Sequence, residues 1–229
     1  MTGNQITSMY LTLYNAAQSL GWALVLARVI HHGLQSRSLM GAYAAAGYLV
    51  RLLQLTAFLE VLHSALGLVH SSTLYNFLQW LGRSHVLFAI IAQIPEVQEQ
   101  PPILITFSAW ALSEVIRCPY YALTLMGMCP RWLTWLRYTA FIVLYPVGAL
   151  YGEMLVMYQS LDPIKRRNVY SSIFKWLPFD YHSFIVVLMI LYPCLWLVLY
   201  LHMFRQRQKK LSKKGVVNKR KAQRPKRID

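Results

Sequence analysis

The chain has 229 residues, 56% of them hydrophobic, with a mean hydropathy of +0.37, too apolar for an ordinary soluble domain of this length, so embedding in a bilayer is the first expectation. Its formal charge of +15 would suit a nucleic-acid binder, but 12 of the 23 Lys and Arg residues lie between Arg205 and Arg227, outside the apolar body, with no aromatic residue among them to stack on bases. Nucleic acid is therefore set aside as a partner. Cys118, Cys129 and Cys194 are too scattered for a metal or redox pair and are expected as buried free thiols.

The first nine residues, "MTGNQITSM", carry no Lys or Arg and precede a long apolar run. No cleaved leader is expected, and the first span serves as its own signal. A bilayer core needs about 20 apolar residues per helix. On that rule the spans fall near 10–30, 52–70, 75–94, 103–127, 134–158 and 183–204. Between the first two, residues 39–50 form an apolar piece too brief to cross, expected as a surface or re-entrant helix, with a seventh span as the alternative. The stretch "PEVQEQPP" marks a break, and "SLDPIKRRNVYSSIFKWLPFDYH" reads as a long loop.

The expected fold is therefore all-α: a polytopic membrane protein built as a bundle of six transmembrane helices over residues 1–204. A basic, disordered cytosolic tail follows over 205–229. An even number of spans puts both termini on one side, and the tail assigns that side to the cytosol. Arg37 and the Lys165 to Arg167 cluster then fall on the far side, so the charge signal is mixed. No internal repeat of the transporter kind is visible.

Ionisable residues at membrane depth cost a few kcal/mol each on insertion scales, roughly, and usually face partners or a cavity. Glu60 with His63, and Glu114 with Arg117, sit three apart on one helical face, and Arg83, His85, Arg137 and Glu153 lie in further spans. A carboxylate held by an arginine resists protonation and makes a poor base, so Glu60 and Glu114 read as structural pairs. Glu153 differs: no basic residue lies within a helical turn of it.

The segments "LEVLHSALGLVHS", "WALSEVIRCPYYAL", "WLRYTAFIVLYPVG" and "GEMLVMYQ" resemble the signatures of the 3-hydroxyacyl-CoA dehydratases of very-long-chain fatty acid elongation, once called protein-tyrosine-phosphatase-like proteins. The resemblance runs from about residue 10 to 204. The older name fails on chemistry: a phosphatase needs HCxxGxxR, and here residues 63–70 read "HSALGLVH", with Ser64 in place of the thiolate and His70 in place of the phosphate-gripping arginine. That stretch is moreover expected inside a membrane helix.

The resemblance implies removal of water from a very-long-chain (3R)-3-hydroxyacyl-CoA to give the trans-2-enoyl-CoA, the third step of each elongation cycle. It places the chain in the endoplasmic reticulum membrane beside a condensing enzyme and reductases, with no metal and no cofactor beyond the CoA of the substrate. The closing "KRID" resembles a weakened dilysine retrieval signal. The catalytic pair of the family maps onto Tyr145 and Glu153. Arg83, Arg117, Arg131 and Arg137 are candidates for the phosphates or thioester carbonyl, Glu114 for substrate binding, His63 and Glu60 for shaping the same cavity, and Tyr120, Tyr121 and Tyr158 for a polar lining.

Spacing complicates the pair. Relatives separate the two residues by seven positions, two full turns, whereas eight separate Tyr145 from Glu153. In an ideal helix eight residues turn Glu153 about 80° away, with roughly 12 Å of rise. Pro146, Gly148 and Gly152 lie between them, so a distorted helix, absorbing the extra residue as a π-bulge, is expected over Pro146 to Gly152. Tyr151 faces away. A silent relative serving as an elongase scaffold, and a small transporter, are the rival readings.

Overall fold

The computed structural model describes residues 3–211, and every regular element among them is helical. The helices are α1 (Gly3–Ser36), α2 (Ala42–Thr56), α3 (Phe58–Ala65), α4 (Thr73–Ser84), α5 (Pro95–Gln98), α6 (Pro101–Leu125), α7 (Arg131–Arg137), α8 (Phe141–Pro146), α9 (Leu155–Arg167), α10 (Ser171–Phe174) and α11 (Tyr181–Leu211). Two π-helical segments, His85–Ile91 and Val147–Met154, continue α4 and join α8 to α9. Joined end to end, these pieces make six rods: 3–36, 42–65, 73–91, 101–125, 131–167 and 181–211. Three of them are long and apolar enough to cross a membrane: Ala42–Ala65, Arg131–Arg167 and Tyr181–Leu211.

Successive rods run antiparallel, so Gly3 and Leu211 share one end. Contacts fix this: Tyr10 meets His63, Tyr75 stacks on His202, and Phe141 meets Phe204 at the termini-bearing end. At the opposite end Arg167 pairs with Glu96 and Tyr181 with His85. The core is densest towards that opposite end. There Trp22, Val25 and Val29 of α1 meet Ala46 and Val50 of α2, Leu87 to Ile91 of the first π segment, Ile103 and Phe107 of α6, and Val156 and Met157 of α9.

Sequence expectation and structure part company in four places. Residues 39–50 do not form a separate surface piece. Ala42, Ala46, Val50 and Leu53 share a buried face, so α2 docks on α1 and runs through Ala57 into α3 as one rod. The "HSALGLVH" stretch is helical only to Ala65. Gly67 adopts φ +70°, and Leu68 N–H donates to His63 O at 2.9 Å while Gly67 N–H donates to Ser64 O at 3.3 Å, a Schellman ending that glycine permits. Residues 160–167 are helix rather than loop: α9 runs to Arg167, where Lys165, Arg166 and Arg167 sit in the last turn, the end a helix dipole favours for cations. Finally, the basic tail's first residues, 205–211, continue α11; the rest of that tail and "KRID" lie outside the described residues. Of the cysteines only Cys118 is buried; Cys129 is half-buried and Cys194 exposed.

Rod five sits against α6 because of two glycines. Gly148 and Gly152, four apart, are buried, and a Cβ on Gly152 would lie 2.7 Å from Thr106 Oγ1 and 3.2 Å from Thr106 Cα. One on Gly148 would lie 3.0 Å from the Ala109 Cβ. This is small-xxx-small packing, in which the missing side chains let two helices approach closely.

Candidate active site

The expected distortion is present: Val147–Met154 has π geometry. One residue absorbed over two turns makes eight positions act as seven, which leaves a drift of about 20° instead of 80°. Tyr145 and Glu153 therefore lie on one side of rod five, facing α11, with Glu153 also meeting α6.

Glu153 is held by two donors. Trp110 Nε1–H of α6 donates to Oε1 at 2.8 Å, and the Tyr192 hydroxyl of α11 donates to Oε2. No arginine, lysine or histidine forms an ion pair with Glu153 among the described residues. Tyr145 stands beside this cage, its ring stacked on Trp196 (5.9 Å, 16°) and Tyr200 (5.9 Å, 3°). Its hydroxyl has no hydrogen-bond partner among the described residues, and it lies within electrostatic reach of Glu153 and Arg83.

The remaining charges inside the bundle form a separate chain. Arg83 Nη1 donates to Glu114 Oε1 at 2.7 Å and its Nη2 to Ser113 Oγ at 3.1 Å. Arg117 holds the other oxygen of Glu114 at 2.6 Å and grips both oxygens of Glu60 at 2.5 and 2.6 Å. Tyr14, at 3.4 Å from Glu60, extends the chain to α1. His63 lies farther out, bonded to the Tyr10 hydroxyl at 2.9 Å and edge-on to Tyr14. The chain meets the cage through one side chain: the Arg83 guanidinium lies 5.3 Å over the ring of Trp110, whose N–H holds Glu153.

Of the residues singled out in the sequence, the structure thus gathers Tyr145 and Glu153 on one seam and Arg83, Glu114 and Arg117 into an adjoining ion chain. Arg137 belongs to neither. It lies towards the termini-bearing end, its guanidinium 5.9 Å from the rings of both Tyr121 and Tyr138. Arg131, Tyr151 and Tyr158 are exposed, and Tyr120 is buried with its hydroxyl 3.4 Å from that of Tyr138. Two surface pockets, one between Gln5, Met9 and Met126 and one between Asn168 and Ser183, lie away from the cluster. No group of three or more metal-ligating side chains occurs among the described residues.

Sequence reasoning missed Trp110 and Tyr192. A signal for Tyr192 existed: the tripeptide Leu-Tyr-Pro occurs at 144–146 and again at 191–193, placing a tyrosine before a helix-interior proline in both seam helices. Nothing comparable marks Trp110.

A helical bundle with an uncompensated, hydrogen-bonded carboxylate inside apolar rods is the architecture of an integral membrane protein with a protected polar site. The family model described as protein tyrosine phosphatase-like protein, PTPLA, matches residues 54–213. The chain is 34% identical over 213 residues to the mouse very-long-chain (3R)-3-hydroxyacyl-CoA dehydratase 2, covering 90% of this chain and 82% of that protein. It is 30% identical to the dog dehydratase 1, covering 93% and 87%. A probable dehydratase of the same name from Schizosaccharomyces pombe is 34% identical, covering 92% and 96%. The chain therefore belongs to the PTPLA family. No solved structure matches it.

Proposed function

We propose that the chain is a hydro-lyase that converts a very-long-chain (3R)-3-hydroxyacyl-CoA to the trans-2-enoyl-CoA, the third step of fatty acid elongation, in the endoplasmic reticulum membrane with both termini cytosolic. The six rods are read as six crossings, and a condensing enzyme and reductases as its neighbours. The reaction needs a base for the C2 proton, acidified by the thioester, and an acid for the departing C3 hydroxyl. Glu153 is the base. Tyr145 is the acid, its hydroxyl being unengaged and on the same seam. As the C2–H bond breaks, its electron pair forms the C2–C3 double bond; the C3–O bond breaks and the hydroxyl leaves as water with the proton that Tyr145 supplies. Tyr192 and Trp110 fix the carboxylate rotamer.

The observation that carries this reading is the contrast among three intramembrane glutamates: Glu60 and Glu114 are gripped by arginines, while Glu153 receives only neutral donors. The eight-residue spacing, which favoured a silent relative, is absorbed by the π segment.

The test uses the full chain in lipid nanodiscs with 3-hydroxyacyl-CoA of several chain lengths. The wild type releases enoyl-CoA, Glu153→Gln and Tyr145→Phe do not, and both variants stay folded. An inactive wild type at every chain length would overturn the activity. Full turnover in both variants would remove these residues from the mechanism.

A further inference from the structure

Rod five and α11 pair antiparallel along one seam. Tyr192 meets Glu153, Trp196 and Tyr200 stack on Tyr145, the Tyr200 hydroxyl donates to Ile142 O at 3.1 Å, and Phe204 meets Phe141 at 5.1 Å. One helical turn beyond that last contact, towards the termini-bearing end, the register brings Arg137 opposite Arg207.

Five side-chain polar atoms among the described residues are buried without a hydrogen-bond partner, and four of them lie on the two helices that form this seam: Trp196 Nε1, Thr139 Oγ1, Arg137 Nε and Arg207 Nε. Buried donors are ordinarily satisfied. Neither Arg137 nor Arg207 pairs with a carboxylate among the described residues, unlike Arg83 and Arg117. The arginines deeper in the bundle have their compensation in Glu60 and Glu114. Here none is supplied by the described protein residues, and exposed Trp132 and Trp135 mark this end as the level of a membrane interface.

We propose that this seam is the binding groove for the CoA arm: Arg137 and Arg207 take its phosphates, and the Trp196 N–H takes a carbonyl oxygen of the pantetheine or thioester. The proposal rests on the acyl-CoA reading above. Guanidinium forks suit phosphate oxygens, and Arg137 stands roughly 24 Å from Glu153 along the rod at 1.5 Å per residue, a separation that the extended pantetheine arm between phosphate and thioester is suited to bridge. The nucleotide then stays at the termini-bearing surface while the thioester reaches the carboxylate, and the acyl chain continues beyond it into the apolar half.

The experiment compares two substrates on the reconstituted full chain: the 3-hydroxyacyl-CoA and the same acyl group as its N-acetylcysteamine thioester, which lacks the phosphates. Arg137→Ala and Arg207→Ala each raise KM for the CoA substrate about tenfold or more, with kcat kept within about twofold, and leave the truncated substrate unaffected. Arg137→Lys, which keeps the charge without the fork, gives an intermediate KM and covers the case in which the alanine variant fails to fold. Equal losses on both substrates, or an unchanged KM for the CoA substrate, overturn the groove.

Calorimetric titration with free CoA separates this proposal from the dehydratase reading. A wild type that binds CoA through Arg137 and Arg207 yet releases no enoyl-CoA keeps the groove and sinks the activity. An active wild type whose CoA affinity ignores both arginines does the reverse.

Discussion

A pair of carboxylates, Glu60 and Glu114, and a single one, Glu153, lie side by side in this bundle and have opposite neighbours. Glu114, with 4% of its side chain exposed, is gripped by Arg83 and Arg117, and Arg117 reaches on to Glu60. Glu153 is held by an indole and a phenol. Both arrangements satisfy the oxygens. Only the second leaves a carboxylate that can accept a proton without abandoning a buried cation. The comparison teaches that residue type and membrane depth do not assign a role; the formal charge of the partners does. Trp110 insulates the two, placing its face under Arg83 and its N–H on Glu153.

The comparison is broken most severely by neutralising one carboxylate from each cluster. Glu153→Gln should lower kcat by about 10²–10⁴-fold, the range for loss of a general base, with little change in thermal unfolding. Glu114→Gln should do the opposite in kind. It leaves the part-buried Arg83 without its counter-charge and Arg117 with Glu60 alone, a loss approaching about 3 kcal/mol, visible as a lowered unfolding temperature in nanodiscs and a loss of monodisperse protein. Equal stability of the two variants would show that the ion chain does not hold the bundle.

Position matters next. Gly152→Ala drives a methyl against the Thr106 backbone at 3.2 Å, so rod five must back away from α6, at a cost of about 1–3 kcal/mol for overpacking. Because Trp110 stands one turn along α6 from Thr106, the same shift should pull its N–H off Glu153 and reduce kcat along with stability. Thr106→Ala in that background removes the closest atom, Oγ1 at 2.7 Å, and should restore part of both.

Much of this was legible in the chain, unevenly. Pro146, Gly148 and Gly152 together with the eight-residue spacing foretold the π segment, because a local backbone problem has a local solution. Glu114 beside Arg117 was legible for the same reason. Whatever depends on which helix faces which was not: Arg117 gripping Glu60, Trp110 aiming at Glu153, and Tyr192 meeting Glu153 all join residues from different rods. The 42–65 rod is divided in the sequence because its apolar run stops short of a crossing before Arg51, and the 160–167 extension reads as loop because it carries a run of charge. In the structure Gly41, at φ +81°, opens a helix, and the cations sit where a helix terminus favours them.

Tyr192 sharpens the contrast from within the neutral cage. Tyr192→Phe removes one donor to Glu153 and should lower kcat about tenfold, the order of one hydrogen bond to a charged group, with KM unchanged. In the Glu153→Gln background it should have no further effect on kcat, since the group it positions is already gone. An equal loss in both backgrounds would assign Tyr192 to packing of α11.

The smallest effect is expected outside the membrane, where a carboxylate again meets a neutral donor but in water. Asp180 accepts the Ser183 N–H at 2.8 Å, capping the first turn of α11, and hydrogen bonding by Ser183, from its side chain first and this N–H second, holds its pKa below the ordinary aspartate value. A depressed pKa means that the stabilisation is complete above the unfolded-state value and is lost as pH falls through the folded-state value. Amide exchange at Ser183 should therefore quicken on acidification below the usual carboxylate range, while Asp180→Asn, which keeps the cap without the charge, should remove that pH dependence. Because Asp180 is open to solvent, proton uptake there frays one helical turn and leaves turnover untouched, whereas in the proposed mechanism the same proton on Glu153 is the reaction itself.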